Sequence, residues 1–177
     1  MAKDPKRINI IQGEYQVSSD PDAVISTLLG SCVAACMYDP VMRVGGMNHF
    51  LLPGDSAGGR ASQAESYGVH LMELLVNGLL KLGASRQNLQ AKLFGGANTV
   101  RGLGEIGSTN ARFARDFLNR EHIACIGGSL GGDRGRRVQF WPATGKAMQM
   151  LMAGDEVAKI EILAPVIPQK TGELELF

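Results

Sequence analysis

A chain of 177 residues with a formal net charge of +1 is long enough for one domain with a hydrophobic core and too short for two comfortable ones. Hydrophobic residues make up 45% and charged residues 20% of the chain, a globular composition that argues against a dedicated nucleic-acid surface. The three cysteines form no Cys-x-x-Cys pair, and their odd number without a disulfide-rich pattern indicates a reducing compartment. No window reaches the ~18 consecutive apolar residues of a membrane span, so we expect a cytoplasmic protein without membrane insertion.

The first fifty residues predict several short strands. Apolar runs between turn formers place them at residues 7–17 with a break at Gly13, 24–29, 33–38 and 44–52. Residues 24–29 lead directly into Gly30-Ser31-Cys32.

The turn between the last two of these strands decides which side chains face each other. Asp39-Pro40-Val41-Met42 has proline at its second position, and a turn centred between Pro40 and Val41 pairs residues whose numbers sum to 81. Cys32 and His49 have that sum. The sequence therefore predicts a thiol and an imidazole directly opposite each other, with Cβ atoms roughly 4.5–5.5 Å apart. A register slip of one residue would put them on opposite faces.

A cysteine that faces a histidine predicts a nucleophile, because the imidazole can take the proton of the thiol and the thiolate can attack a carbonyl carbon. Gly30 and Ser31, just before the cysteine, are small enough for backbone N–H groups to approach and bind an oxyanion. Ser26 and Thr27 each offer a hydroxyl that could orient the imidazole. The alternative interpretation is a buried structural thiol and an ordinary strand histidine.

The rest of the chain predicts two helices among further strands. Ser62-Gln63-Ala64-Glu65 has the capping-box pattern and predicts a helix from there to about Leu82. A second helix is predicted over 108–119. Further strands are predicted at 89–94, at 123–126 with Cys125 as a core thiol, at 138–141 and 147–151 as a hairpin, and at 157–163. Two helices among mostly hairpin-connected strands indicate an α+β fold.

Two patterns suggest a ligand site but do not predict one. Residues 102–107 match Gly-x-Gly-x-x-Gly, yet the dinucleotide motif follows its strand directly, and here seven residues separate it from Phe94. Cys32 and Cys36 lie four residues apart along an extended strand at ~3.3 Å per residue, too far to share one metal ion with His49. We therefore expect neither a metal nor an organic cofactor.

Several phrases of the sequence resemble the CheD family, the chemoreceptor glutamine deamidases of bacterial and archaeal chemotaxis. The resemblance covers about residues 10–160. Its phrases are Leu-Leu-Gly-Ser-Cys-Val-Ala-Ala-Cys at 28–36, Tyr-Asp-Pro at 38–40, Gly-Gly-Met-Asn-His-Phe-Leu-Leu-Pro at 45–53, Met-Glu-Leu-Leu at 72–75, Lys-Leu-Gly-Ala at 81–84, Lys-Leu-Phe-Gly-Gly-Ala-Asn at 92–98, Gly-Arg-Arg at 135–137 and Thr-Gly-Lys at 144–146.

The resemblance implies an activity and a set of catalytic residues. The family converts specific glutamines of methyl-accepting chemotaxis receptors to glutamate through a cysteine thioester. Its cysteine and histidine lie 17 residues apart, as Cys32 and His49 do. Its third residue is a threonine six positions before the cysteine, where this chain has Ser26, with Thr27 one step later. Both hydroxyls therefore stand as candidates.

The resemblance also implies a layered α/β/β/α fold with two mostly antiparallel sheets, and in some species a CheC-type phosphatase as partner. Two alternatives stand beside the deamidase: a transglutaminase or other thiol hydrolase with the same pair, and a non-catalytic adaptor that binds chemoreceptors or the phosphatase. We expect one deamidase domain over residues 1–164. Residues 165–177, with two prolines and an acidic end, predict a mobile tail.

Overall fold

The computed structural model describes residues 4–53, 61–99, 105–153 and 174–177. Two α-helices, one 3-10 turn at Arg86–Asn88 and ten strands make up this part of the chain. The helices are α1 (Ala61–Lys81) and α2 (Ile106–Arg120). The strands are β1 (Lys6–Asn9), β2 (Tyr15–Ser18), β3 (Ala23–Leu29), β4 (Val33–Asp39), β5 (Val44–Asn48), β6 (Gln90–Gly95), β7 (Ala124–Leu130), β8 (Arg136–Trp141), β9 (Lys146–Leu151) and β10 (Leu174–Leu176). Among the described residues, no helix has the length and apolar character needed to cross a membrane.

The strands form two five-stranded sheets. Sheet 1 has the order β1-β3-β8-β9-β10, and sheet 2 has the order β2-β5-β4-β6-β7. Only the β1–β3 and β6–β7 pairs are parallel. The predicted α+β class, with two mostly antiparallel sheets and two main helices, is confirmed. The predicted β8–β9 hairpin is also present.

Apolar side chains pack in two layers, one on each face of sheet 2. The inter-sheet core lies between the sheets and is built from Ile10, Ile25, Leu29, Ala34, Cys36, Met47, Phe94, Val138, Phe140 and Ala147. A second core joins the other face of sheet 2 to both helices. The helical fourth layer that the resemblance implied has no counterpart among the residues described.

Strand β4 shows how the sequence produces this arrangement. Val33, Ala35 and Met37 point to the helices, whereas Ala34 and Cys36 point into the inter-sheet core. Successive side chains on a strand point to opposite faces, so a strand that is covered on both sides reads as a continuous apolar run. The unbroken Val-Ala-Ala-Cys-Met run therefore identifies a central strand of the layered structure.

The β4–β5 hairpin corrects the predicted register. Observed pairs have numbers that sum to 83, as in Asp39 opposite Val44, and not to the predicted 81. The loop contains four residues, and it closes when the Arg43 N–H donates to the Asp39 carbonyl at 2.8 Å, with Arg43 in the left-handed region at φ 55°. Cys32 and His49 are therefore not directly opposite each other. Because the sum changes by two, they stay on the same face, in a diagonal relation.

The chain end adds a strand to sheet 1. Strand β10 pairs antiparallel with β9, and the Phe177 ring packs edge-on against Phe94 with centroids 5.4 Å apart. The Lys92 ammonium donates to the Phe177 carbonyl at 2.9 Å. These last residues pair with the sheet. The single domain over residues 1–164 and the mobile tail over 165–177 stay predictions. Residues 165–173 and the strand predicted at 157–163 lie outside the described residues.

Asp39 holds the hairpin loop to the rest of the fold. Its carboxylate is fully buried and accepts hydrogen bonds from the N–H groups of Val41, Met42 and Ser85 at 2.8–3.0 Å. Burial alone would favour the neutral acid, but these N–H donors and the Asn88 side chain outweigh it and lower the pKa of Asp39.

We therefore expect Asp39→Ala to destabilise the protein by about 3 kcal/mol, because it removes the buried carboxylate that accepts hydrogen bonds from three part-buried N–H groups. The measurement is the free energy of unfolding from urea titration. The exposed Asp116 on α2 provides the control, and Asp116→Ala should change stability by less than about 0.5 kcal/mol. Because folding lowers the pKa, the stabilisation by Asp39 is present above about pH 4 and is lost as the pH falls below it. Equal stabilities of the two variants would contradict this assignment.

Candidate active site

Cys32 lies where the chain crosses from sheet 1 to sheet 2, between the end of β3 and the start of β4. Its side chain is half-buried and packs against the inter-sheet core. The carbonyl groups of residues 30, 31 and 32 are all held by later parts of the chain. Their donors are, in order, the Ala97 N–H at 3.0 Å, the Asn110 side-chain amide at 2.9 Å and the Gly96 N–H at 2.8 Å. The backbone around the thiol is thus positioned by groups far away in sequence.

This anchoring sets the direction of the backbone amides before the thiol. In a trans peptide the N–H points opposite to the preceding carbonyl. The N–H groups of Ser31 and Cys32 therefore point away from the loop at residues 96–97 and from α2. The oxyanion role of the segment around Gly30 and Ser31 stays a prediction.

Close approach at the crossing requires glycine at residue 95. Gly95 has φ 106°, and a Cβ atom there would lie 2.1 Å from the Cys32 carbonyl oxygen. No side chain fits at that distance. The Gly-Gly pair in Lys-Leu-Phe-Gly-Gly-Ala-Asn is therefore a structural part of the site, although sequence reasoning assigned it no role there.

Asn110 clamps both halves of the site and was not predicted. Its side-chain amide N–H donates to the Ser31 carbonyl, and its side-chain oxygen accepts the Leu52 N–H at 3.0 Å. Ser31 directly precedes Cys32, and Leu52 lies three residues after His49. The signal that could have found it is a buried asparagine on the apolar face of α2, one helical turn before Phe113 and Ala114.

His49 is buried, with 7% of its surface exposed, and its Nδ1 lies 2.7 Å from the Thr27 hydroxyl oxygen. The Thr27 hydroxyl is also 2.8 Å from the Ile10 carbonyl oxygen and donates its only proton to it. Thr27 must then accept at its oxygen, so Nδ1 carries the hydrogen. The His49 Nε2 is left with a lone pair and can act as a base.

The structure brings Thr27, not Ser26, to the imidazole. Thr27 shares its face of β3 with Ile25 and Leu29, which belong to the inter-sheet core. Ser26 is its neighbour on the strand and therefore points to the outer face of sheet 1. The position that the family resemblance assigned to the third residue thus lies on the wrong side of the strand to touch His49.

Burial lowers the pKa of His49 from 6.5 to about 4. The imidazole is therefore neutral at physiological pH, and its proton-free nitrogen is available as a proton acceptor. Cys32 and His49 share one face of sheet 2, because Cys32 contacts the inter-sheet core and His49 reaches across to Thr27 in sheet 1. A diagonal pair of this kind has Cα atoms about 7–8 Å apart.

The turn before β2 covers this part of the sheet. The Glu14 N–H donates to the Ile11 carbonyl at 3.0 Å, and Gly13 adopts φ 88°, which is a type II turn that requires glycine at its third position. The Gly13 N–H donates to the His49 carbonyl at 2.8 Å, and the His49 N–H donates to the Glu14 carbonyl at 3.0 Å. Sequence analysis identified the break at Gly13 but not its contact with His49.

The other two cysteines have different surroundings. Cys36 is buried in the inter-sheet core, and burial raises the pKa of its thiol, so it stays protonated. Cys125 is exposed on β7, so its prediction as a core thiol is wrong. Within the described part of the chain, no group of three or more His, Cys, Asp or Glu side chains is arranged to hold a metal ion.

The site combines a half-exposed thiol with a buried, neutral imidazole on the same sheet face, and a hydroxyl orients the imidazole. This combination is typical of hydrolases with a cysteine nucleophile. Comparison with known proteins identifies the family. The family model described as "CheD chemotactic sensory transduction" matches residues 51–150.

Relatives extend this match over nearly the whole chain. A protein of Acidiphilium cryptum, "Probable chemoreceptor glutamine deamidase CheD", is 54% identical over 97% of this chain and 94% of its own length. Proteins with the same name are 52% identical in Rhizobium leguminosarum bv. trifolii, over 97% of this chain and 95% of that one, and 57% identical in Agrobacterium fabrum, over 87% and 84%. The chain belongs to the CheD family.

The buried imidazole makes stability depend on pH. Between pH 6.5 and about 4 the unfolded chain binds a proton at His49 and the folded chain does not, so the free energy of unfolding falls as the pH is lowered. We expect this residue to account for a loss of about 3 kcal/mol across that range.

Urea unfolding at several pH values measures this effect. His49→Gln should lose the corresponding part of the pH dependence, whereas His70→Gln, at an exposed position on α1, should keep it. An unchanged pH dependence in His49→Gln would show that the imidazole is not buried as a neutral base.

Proposed function

We propose that this protein deamidates specific glutamine side chains of methyl-accepting chemotaxis receptors, with Cys32 as the nucleophile and His49 as the base. Membership of the CheD family and the names of its relatives support the reaction and the substrate class. The observation that carries the residue assignment is the Thr27–His49 hydrogen bond, which leaves the unprotonated His49 nitrogen on the sheet face that also holds Cys32.

The chemistry follows from these groups in order. His49 Nε2 takes the thiol proton, and the Cys32 sulfur attacks the carbon of the substrate carboxamide. Backbone N–H groups beside Gly30 and Ser31 bind the oxyanion. The imidazolium gives its proton to the departing ammonia, and the bond from carbon to nitrogen breaks. Water, activated by the same imidazole, then hydrolyses the thioester, releases the thiol and leaves glutamate. None of these steps uses a metal or an organic cofactor.

Thr27 has the role of the third, positioning residue in this proposal. Its oxygen accepts the Nδ1–H bond in both the neutral and the protonated imidazole, so the ring keeps its orientation throughout the reaction. The Ile10 carbonyl holds the hydroxyl proton and thereby prevents Thr27 from donating to the ring. Ser26 has no such role, because it faces the other side of the strand.

The family resemblance alone carries three further parts of the proposal: a cytoplasmic location, a single deamidase domain over residues 1–164, and a CheC-type phosphatase as a possible regulator. A non-catalytic adaptor with the same fold would bind receptors without changing their mass. The first experiment below separates the adaptor from the enzyme.

Mass spectrometry of a receptor cytoplasmic fragment tests the reaction and its nucleophile. Incubation with the reduced protein should add about one mass unit for each modified glutamine, because an amide becomes an acid. Cys32→Ala should give no increase, and Cys125→Ala should behave like the unaltered protein, because Cys125 lies at the far end of the edge strand. A mass increase that persists in Cys32→Ala would overturn the assignment of the nucleophile. Binding of the receptor by the folded, reduced protein without any mass change would favour the adaptor.

Substitutions at Thr27 test the positioning role. Thr27→Val removes the acceptor for Nδ1–H, and we expect kcat to fall about 10- to 100-fold. Nitrogen NMR shifts of His49 should show a smaller fraction of the Nδ1–H tautomer. Thr27→Ser keeps the hydroxyl and should retain most of both properties. Ser26→Ala is the matched control on the opposite face and should lose far less activity; the reverse order of the two effects would contradict the geometry.

A further inference from the structure

A glutamine of the chain itself lies beside the proposed nucleophile. The side-chain oxygen of Gln12 accepts a hydrogen bond from the Cys32 thiol, with the oxygen 3.9 Å from the sulfur. Gln12 is exposed, and three side-chain torsions join its carboxamide to the backbone. The group that the proposed reaction consumes is thus already present at the sulfur that would attack it.

The backbone on either side of Gln12 is hydrogen-bonded to Thr27 and to His49. The Ile10 carbonyl accepts the Thr27 hydroxyl proton, and the Gly13 N–H donates to the His49 carbonyl. Within the turn, the Glu14 carboxylate also accepts the Ile11 N–H at 2.9 Å. These hydrogen bonds fix the position of the turn relative to the site. They therefore keep the Gln12 side chain at the rim where a substrate would enter.

We propose that Gln12 is a modification site of this protein, which Cys32 of the same chain converts to glutamate. The proposal rests on the proposed function, since it uses the same reaction. In the resting contact the carboxamide oxygen faces the sulfur. Rotation about the first two side-chain torsions brings the carbonyl carbon toward the sulfur. A carbon–sulfur bond forms, the carbon–nitrogen bond breaks and ammonia leaves with the proton from His49. Water then cleaves the thioester, which returns the thiol and leaves a carboxylate at residue 12.

The modification limits the activity of its own site. Until it reacts, Gln12 occupies the position of a receptor glutamine and competes with it. Afterwards the new carboxylate lies near Cys32, and two negative charges about 4 Å apart in water disfavour the thiolate roughly fivefold. Gln12→Glu, which reproduces the product, should therefore have a kcat/KM for receptor deamidation roughly fivefold below that of the neutral variant Gln12→Met. Equal values would overturn this self-limiting effect.

Peptide mass spectrometry of the reduced full-length protein, incubated alone, tests the modification. Trypsin releases residues 8–43 as one peptide, which contains both Gln12 and Gln16. Fragmentation should place a gain of about one mass unit at Gln12, increasing with time. Gln16 is the internal control, because its side-chain amide donates to the Val17 carbonyl on β2, and it should stay unchanged. Cys32→Ala should keep Gln12 as glutamine.

The same preparation is given the receptor fragment, so that the two proposals are judged separately. Conversion of receptor glutamines with Gln12 unchanged would overturn this inference and leave the proposed function intact. Conversion of Gln12 at equal rates in the unaltered protein and in Cys32→Ala would show spontaneous loss of ammonia at a Gln-Gly sequence, and would also overturn it. If neither the receptor nor Gln12 changes, both proposals fail.

Discussion

The hydrogen bond between His49 and Thr27 joins the two sheets at the point on which the site depends. Thr27 lies on β3 of sheet 1, and His49 directly follows β5 of sheet 2. Ile25 and Leu29 lie on either side of Thr27 and exclude water from the bond. The same exclusion makes the imidazole neutral, since a buried ring loses the hydration of its charged form. Packing of the inter-sheet core is thus the cause of the neutral, proton-accepting state of His49.

Three backbone segments from distant parts of the chain meet around this bond. The turn at residues 11–14 is hydrogen-bonded to the backbone of His49, and the loop at residues 95–97 holds the crossing that carries Cys32. Asn110 of α2 binds the segment before the thiol and the segment after the imidazole. Together they hold the backbone on both sides of Cys32 and His49 in place, which is the rigidity that the proposed catalytic pair requires.

The arrangement separates the two tasks that the proposed mechanism gives to Cys32 and His49. The imidazole is inside, where its ionisation and its hydrogen are controlled by the protein. The thiol is half-exposed at the rim, where a glutamine side chain can reach it, and the exposed Gln12 shows that one does. In the proposed mechanism the site thus combines a fixed base with an accessible sulfur.

The sequence by itself determined every described strand except β10, both helices and the shared face of Cys32 and His49, because alternation along a strand and the stripe along a helix are local properties. It did not determine the distance between the pair, since a loop of four residues closed at Arg43 moved the register. Nor did it determine the choice between Thr27 and Ser26, the clamp by Asn110, the position of Gln12 or the pairing of the last residues with β9. Each of these depends on how separate segments approach one another in space. Ser26 and Thr27 are neighbours on one strand, so their hydroxyls point to opposite faces of sheet 1. Only the packing of sheet 1 on sheet 2 decided that the Thr27 hydroxyl meets the imidazole.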